Sequence, residues 1–329
     1  MIAAVFPGQG SQHVGMGQDF YTQFAYTRRL FQEVEDTLHL GLRQVMFDGS
    51  ESELRATNYA QPALFLTSLA IVRVLEEEFG IIPSQWRLMA GHSLGEYTAL
   101  HVAGVISLQQ TLELIKIRGT AMATIKDGGM IAVMGIAHDV LIQRVQDLND
   151  EGIGCFLAND NSPQQAVISA AAAHLPLLAE RLSAFGALKS VILNVSGPFH
   201  SAMMASAQDI FAPVLGGVPF SPPCCPMVTN VSGKEQNDAT IIKDHMRQQM
   251  THPVLWRTTQ LTLAGASVTH IIEIGSGKVL SGLAKKTIPN VQICALNTIG
   301  AIQDWQNEYH KLRIHQTISM PPISESMAG

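Results

Sequence analysis

The pentapeptide GHSLG at residues 91–95 has the G-x-S-x-G spacing of a serine nucleophile held at a sharp turn. Before it, SQWRLMA reads as a strand closing near Ala90; after it, the chain reads as a helix from about Gly95 to Ala103. Strand, tight turn and helix are the setting this chemistry needs. A hydroxyl at the bend stands clear of the backbone, and flanking glycines let strand and helix approach. The next backbone N–H then lies at a helix N-terminus, where a developing oxyanion is stabilised. Ser93 is therefore the candidate nucleophile, and the alternative, a plain helix N-cap, leaves both glycines unexplained.

A serine hydroxyl needs a base. The chain has 12 histidines, most of them single residues on ordinary helices or loops. His200 differs, because NVSGPFHSAMM puts it after a strand and a Gly-Pro turn, where a base can reach an elbow serine. A second pattern opens the chain: MIAAVFPGQGSQHVGMG carries glycines at 8, 10, 15 and 17. Its details argue against a phosphate cradle. Gly10 and Gly15 have P-loop spacing, but Met16 and Gly17 stand where Lys and Ser or Thr are required. The dinucleotide pattern G-x-G-x-x-G fails at His13.

The elements around these residues alternate in type. IAAVF (2–6) suits a buried parallel strand, and residues 107–122 an amphipathic helix opened by a Ser107/Gln110 capping box. From Gly128 to Val195 the order is strand, helix, two strands joined by a polar turn, helix, strand. That β-α-β-β-α-β order is the ferredoxin-like split unit, with the length of an inserted subdomain. Further strands are expected in CCPMVTNV and VTHIIEIG, with a helix around 238–251 between them.

Composition bounds the possibilities. The 329 residues are 47% hydrophobic and 15% charged, enough for a sizeable core, and the net charge of −6 argues against nucleic acid as main partner. Cys155, Cys224, Cys225 and Cys294 form no C-x-x-C pair and read as free thiols of a reducing compartment rather than metal ligands. No basic leader region and no apolar run near 18 residues is seen, so a cytoplasmic protein without a membrane span is expected.

Seven stretches, in order, carry a resemblance: FPGQGSQ, GHSLGEYTAL, IRGTAM, NDNSPQQAVIS, GPFHS, HPVLW and EIGSGKVLSGL. Over roughly residues 1–300 the chain resembles malonyl-CoA:acyl-carrier-protein transacylases and the related acyltransferases of polyketide synthases, trans-acting ones included. The resemblance implies an α/β fold: an α/β-hydrolase-like large subdomain with a parallel sheet (1–127 and 196–316) and an inserted ferredoxin-like subdomain (128–195). Residues 317–329 are expected to be a flexible tail.

The resemblance also implies roles. Gln9 and the Leu94 N–H would form an oxyanion hole, which answers what the glycine loop holds. Arg118 would receive the malonyl carboxylate, a pairing that suits a planar guanidinium fork. His200 would be the base, oriented by the backbone carbonyl of Gln249 rather than by an acid. Phe199 would crowd a methyl branch and favour malonyl over methylmalonyl. Met122 would line the acyl pocket, unless it is plain core. No metal or cofactor is implied.

The partners implied are malonyl-CoA and an acidic acyl carrier protein, with Lys189, Lys278, Lys285 and Lys286 as candidate docking cations on a monomer. Two residues depart from the family pattern: Asp160, which bears on the edge of the acyl pocket, and Ser276, where proline is common. An editing serine hydrolase of a polyketide pathway is the alternative, and the presence of Arg118 weighs against it. The other alternative is a non-catalytic docking subunit, against which the complete set of site residues stands.

Overall fold

Ile2–Phe6 is apolar on both faces and four of its five residues are buried, which is what a strand covered by helices on either side requires. In the computed structural model, which describes residues 1–195 and 197–318 (without the side chains of 310–318), it is β1 of ten strands. The others are β2 (Leu88–Gly91), β3 (Gly129–Met134), β4 (Cys155–Ser162), β5 (Gln165–Ala170), β6 (Lys189–Ile192), β7 (Met227–Val228), β8 (Glu235–Gln236), β9 (His270–Ile274) and β10 (Gln292–Leu296). They form two sheets. The larger has the order β10-β9-β1-β2-β7-β8, parallel except for β8, which runs antiparallel to β7. Loops that leave the carboxyl ends of β1, β2, β7 and β9 converge at one end of it, the usual place for a site in an open parallel sheet.

The smaller sheet is antiparallel, with the order β4-β5-β3-β6. Helices His138–Asp150 and Leu175–Ala184 complete the strand-helix-strand-strand-helix-strand order read from the sequence. The period of two along a strand divides its residues. Ile131 and Val133 of β3 pack with Leu141, Leu148, Ile168 and Leu178 in a core of their own, while Met130 and Val167 join the main core.

The two sheets are stitched together along β4. Asp160 N donates to Val254 O (2.9 Å) and Val254 N donates to Ala158 O (2.8 Å). The Asp160 carboxylate is buried and accepts from Arg257 Nε at 3.0 Å, with His138 Nδ1 at 3.2 Å. The question the sequence raises about Asp160 and the edge of the cavity is thereby answered: the residue is turned away from it. Its neighbour Asn159 lines that cavity, and Asp160, pointing away from it, is tied to the opposite body. Ser276 has an equally local reason: its hydroxyl donates to Ser11 O at 2.6 Å and fastens the glycine loop.

The helix Leu108–Ala123 carries both halves of the Ser107/Gln110 capping box. The CCPMVTNV strand shortens to the two residues of β7, and the helix after it spans Ala239–Gln248. β10 was not among the strand candidates. The last helix, Ile299–Ile318, runs two residues into the expected tail; the rest, 319–329, lies outside the described residues. Among the described residues no helix is long and apolar enough to cross a membrane.

The closest backbone approach is at the turn after β2. A Cβ on Gly91 would stand 1.9 Å from the Gly95 carbonyl carbon, and one on Gly95 would stand 2.0 Å from Phe6 O. Neither neighbour is a side chain that could swing aside. Gly91→Ala is expected to destabilise the protein by about 3 kcal/mol or more, read by urea unfolding; a change below about 1 kcal/mol would contradict this packing.

Candidate active site

Ser93 sits at φ 52°, ψ −103°, a region that L-residues rarely occupy. The strain is held by its neighbours. Asn230, in the loop after β7, accepts from Ser93 N (2.7 Å) through Oδ1 and donates from Nδ2 to Gly91 O (2.6 Å). His92 N donates to Phe6 O (2.9 Å), and Gly8 lies so close to His92 O that a Cβ there would be 2.3 Å away. The glycine loop is thus pressed against the elbow, and Gly10 takes φ 104° as it turns past.

The Ser93 hydroxyl lies 2.7 Å from His200 Nε2. His200 Nδ1 is 2.8 Å from Gln249 O. A carbonyl can only accept, so Nδ1 carries the proton and Nε2 presents its lone pair to the hydroxyl. His200 itself is held at φ 56°. Burial, then the positive charge of Arg118, pushes its pKa down to about 3, so the imidazole is neutral and able to act as a base.

Arg118, from the helix Leu108–Ala123, is 1% exposed. Its Nη2 donates to Ser93 Oγ (3.1 Å) and to Gln249 Oε1 (3.2 Å), and its guanidinium carbon lies 5.3 Å from the centre of the Tyr97 ring. Its Nε is buried with no partner among the described residues. A buried guanidinium with a donor left over is chemically prepared for an anion. Burial raises the nearby Glu96, to about 7, while donors from Gln249 and Asn230 and the charge of Arg118 pull it down.

Ser93 and His200 border a cavity of about 320 Å³. Gln9 and Gly10 form one wall, Met122 and Phe199 another, and Met130, Asn159 and Val167 of the small sheet close it. Met122 also accepts a 3.4 Å contact from Gln61 Nε2 at its sulfur. Leu94 is the first residue of the helix Leu94–Val102, so its N–H is among those for which a helix has no acceptor of its own. All eight candidate residues from the sequence therefore meet at one place. The four lysines do not: Lys189 is exposed on β6, and Lys278, Lys285 and Lys286 lie exposed on or beside the helix Val279–Thr287 of the large body.

Sequence reasoning missed Glu96, Asn230, His92, Asn161 and Arg55. Glu96 and Asn230 hold the elbow and Gln249. His92 Nε2 meets Asn161 Oδ1 (2.9 Å) and Asn159 Nδ2 (3.3 Å), joining the elbow to the small sheet, and Arg55 stands at the cavity wall. A signal existed for Glu96, the one acid in LGEYTALHV, a helix buried at eight of its nine residues. None marked Asn230. Among the described residues no group of three His, Cys, Asp or Glu side chains could hold a metal ion.

Comparison with known proteins decides the family. The acyl transferase domain family matches residues 4–318. The chain belongs to it. It is 38% identical over 299 residues to the malonyl CoA-acyl carrier protein transacylase of Bacillus subtilis (strain 168), covering 90% of this chain and 93% of that one. The enzyme of that name from Salmonella typhimurium is 37% identical over 304 residues, 92% of this chain and 97% of the relative. The crystal structure of acyl-carrier-protein-S-malonyltransferase from Bartonella henselae superposes with a TM-score of 0.89 at 37% identity, covering 94% of this chain and 99% of that one. A malonyl-transacylase in complex with a type II PKS acyl-carrier protein superposes at 0.88 and 36% identity, covering 93% and 99%. For an acyltransferase, the combination of bent serine, neutral histidine and buried arginine is a workable acyl-transfer site.

The depressed His200 pKa makes a testable statement. Cleavage of p-nitrophenyl acetate, which needs the serine and histidine but no carboxylate contact, is expected at pH 5.5 to stay within about threefold of its pH 7.5 rate. A histidine at its ordinary 6.5 would lose about tenfold over that interval, and a loss of that size would contradict the buried, neutral base.

Proposed function

We propose that this protein moves a malonyl group from CoA to the phosphopantetheine thiol of an acyl carrier protein through a malonyl ester on Ser93. The observation that carries this reading is the buried Arg118, with one N–H 3.1 Å from the Ser93 hydroxyl and another N–H unpartnered. An acyl chain esterified at Ser93 and ending in a carboxylate would bring that group onto the guanidinium. A neutral acyl chain would leave the charge buried and unanswered, which is costly.

In the first half-reaction the Ser93 oxygen attacks the thioester carbonyl as its proton passes to His200 Nε2. The Leu94 N–H and the loop at Gln9 receive the oxyanion. The C–S bond breaks and CoA leaves as the thiol, with the proton from His200. In the second, His200 takes the proton of the carrier thiol, whose sulfur attacks the ester; the C–O bond breaks and Ser93 recovers its proton. Phe199 and Met122 shape the acyl wall, and Phe199 favours malonyl over a branched diacid. The similarity to the malonyl-transacylase solved with a carrier protein supports the choice of acceptor.

The finer expectations belong to the same proposal. The large body (1–127 and 196–316) is read as α/β-hydrolase-like and 128–195 as an inserted ferredoxin-like subdomain, acting together as a cytoplasmic monomer. The carrier would be acidic and steered by Lys189, Lys278, Lys285 and Lys286, and the pathway would be fatty-acid or polyketide synthesis. An editing hydrolase would share Ser93 and His200, but nothing in that activity calls for a buried guanidinium at the nucleophile.

The test is transfer itself. Wild type with malonyl-CoA and a holo carrier protein is expected to give malonyl-carrier faster than free malonate. Arg118→Ala is expected to lower malonyl transfer about 100-fold or more relative to acetyl transfer. Free malonate as main product would favour the hydrolase, and an unchanged malonyl-to-acetyl ratio would remove Arg118 from the account.

A further inference from the structure

Gln249 does three things at once, and only one of its two amide orientations permits them. Its backbone oxygen accepts from His200 Nδ1. Its Nε2 donates to Glu96 Oε2 (2.6 Å) and to Ser93 O (2.9 Å), and its Oε1 accepts from Arg118 (3.2 Å). Glu96 is also engaged at its other oxygen, which accepts from Asn230 N at 2.9 Å, and it is 1% exposed. Its geometry is that of the ionised form: the backbone N–H of Asn230 must donate to one oxygen, and a carboxylate without its proton has acceptors at both ends and no donor. It therefore admits only the amide's NH₂ group, and the amide oxygen must turn to the guanidinium.

We propose that Glu96 is a positioning residue whose two carboxylate oxygens set the direction of the Gln249 amide, so that an acceptor and not a donor faces Arg118. This rests on the reading of Arg118 as the carboxylate-binding group. Without Glu96 the native orientation is held only by Ser93 O and Arg118, and in the flipped one an NH₂ meets the guanidinium, donor against donor, while the amide oxygen faces Ser93 O. Arg118 is then pushed from the place where it can take a carboxylate. The base keeps its orientation, since it is held by a backbone carbonyl that an amide flip does not move.

Glu96→Gln tests this, because the new side chain has one acceptor end and one donor end. If the acceptor stays on Asn230, the donor end faces Gln249 and favours the flip. Stopped-flow acylation by malonyl-CoA is expected to fall about tenfold or more, while p-nitrophenyl acetate cleavage stays within about threefold of wild type. Equal losses on both donors, or no loss on either, overturn the proposal.

The exchange variant Glu96→Gln/Gln249→Glu covers the case in which the single variant does not fold. It restores a donor–acceptor match between positions 96 and 249 and with Asn230, but sets a fixed anion on Arg118 and leaves Ser93 O without the donor it has from Gln249. The KM for malonyl-CoA is expected to rise about tenfold; an unchanged KM overturns the proposal. Wild type is the control that separates the two levels: if it takes no malonyl group, the functional reading fails, and if it does while Glu96→Gln behaves identically, only the role of Glu96 fails.

Discussion

A guanidinium buried beside a serine hydroxyl is the constraint around which the rest of this structure is arranged. A cation taken out of water is tolerated only when its surroundings answer it. Here the answer is deliberately incomplete. Tyr97 offers a ring face, Gln249 an amide oxygen and Ser93 its hydroxyl, while the Arg118 Nε is left with nothing among the described residues. Glu96, the nearest buried acid, acts through Gln249 and makes no ion pair with Arg118 itself. A full salt bridge at that place would satisfy the cation and close it to a substrate carboxylate.

The second demand is to hold a strained nucleophile still. Ser93 keeps its unfavourable backbone angles because glycines at 91 and 95 let the strand, the helix and the end of β1 pack at backbone distance. Asn230 then bridges both sides of the bend. The small sheet adds a lid of fixed position. Its β4 is bonded to Val254 on the large body, its Asn159 and Asn161 meet His92 beside the nucleophile, and the buried Asp160–Arg257 pair closes the seam. The shape of the cavity and the geometry of the nucleophile therefore depend on two bodies meeting in register.

Much of this was legible in the sequence, for identifiable reasons. Motifs that must satisfy a steric rule are readable: GHSLG because only glycine permits the approach, the capping box because its spacing matches one helical turn, β1 because a doubly covered strand is apolar throughout. Ser93 and His200 were reachable from the bend motif and from the loop that follows a strand, Arg118 and Gln249 because the chain resembles a family in which their neighbourhoods recur. What stayed hidden depends on distance through space. Asn230 is 137 residues from the serine it pins, and no local pattern announces it. The sequence left open what Asp160 does at the pocket edge because its motif adjoins the pocket; the strand directs it to Arg257. β7 shrank to two residues because the chain leaves the sheet early, at Thr229 and Asn230, to support the elbow.

The central claim is that a diacid becomes esterified at Ser93 with its free carboxylate on Arg118. Intact-protein mass spectrometry after brief mixing with malonyl-CoA, followed by peptide mapping, tests it most directly. The account predicts a gain of one malonyl group, confined to the peptide containing Ser93, and its discharge when a holo carrier protein is added. An unmodified protein, or a malonyl group found on any other residue, would contradict it.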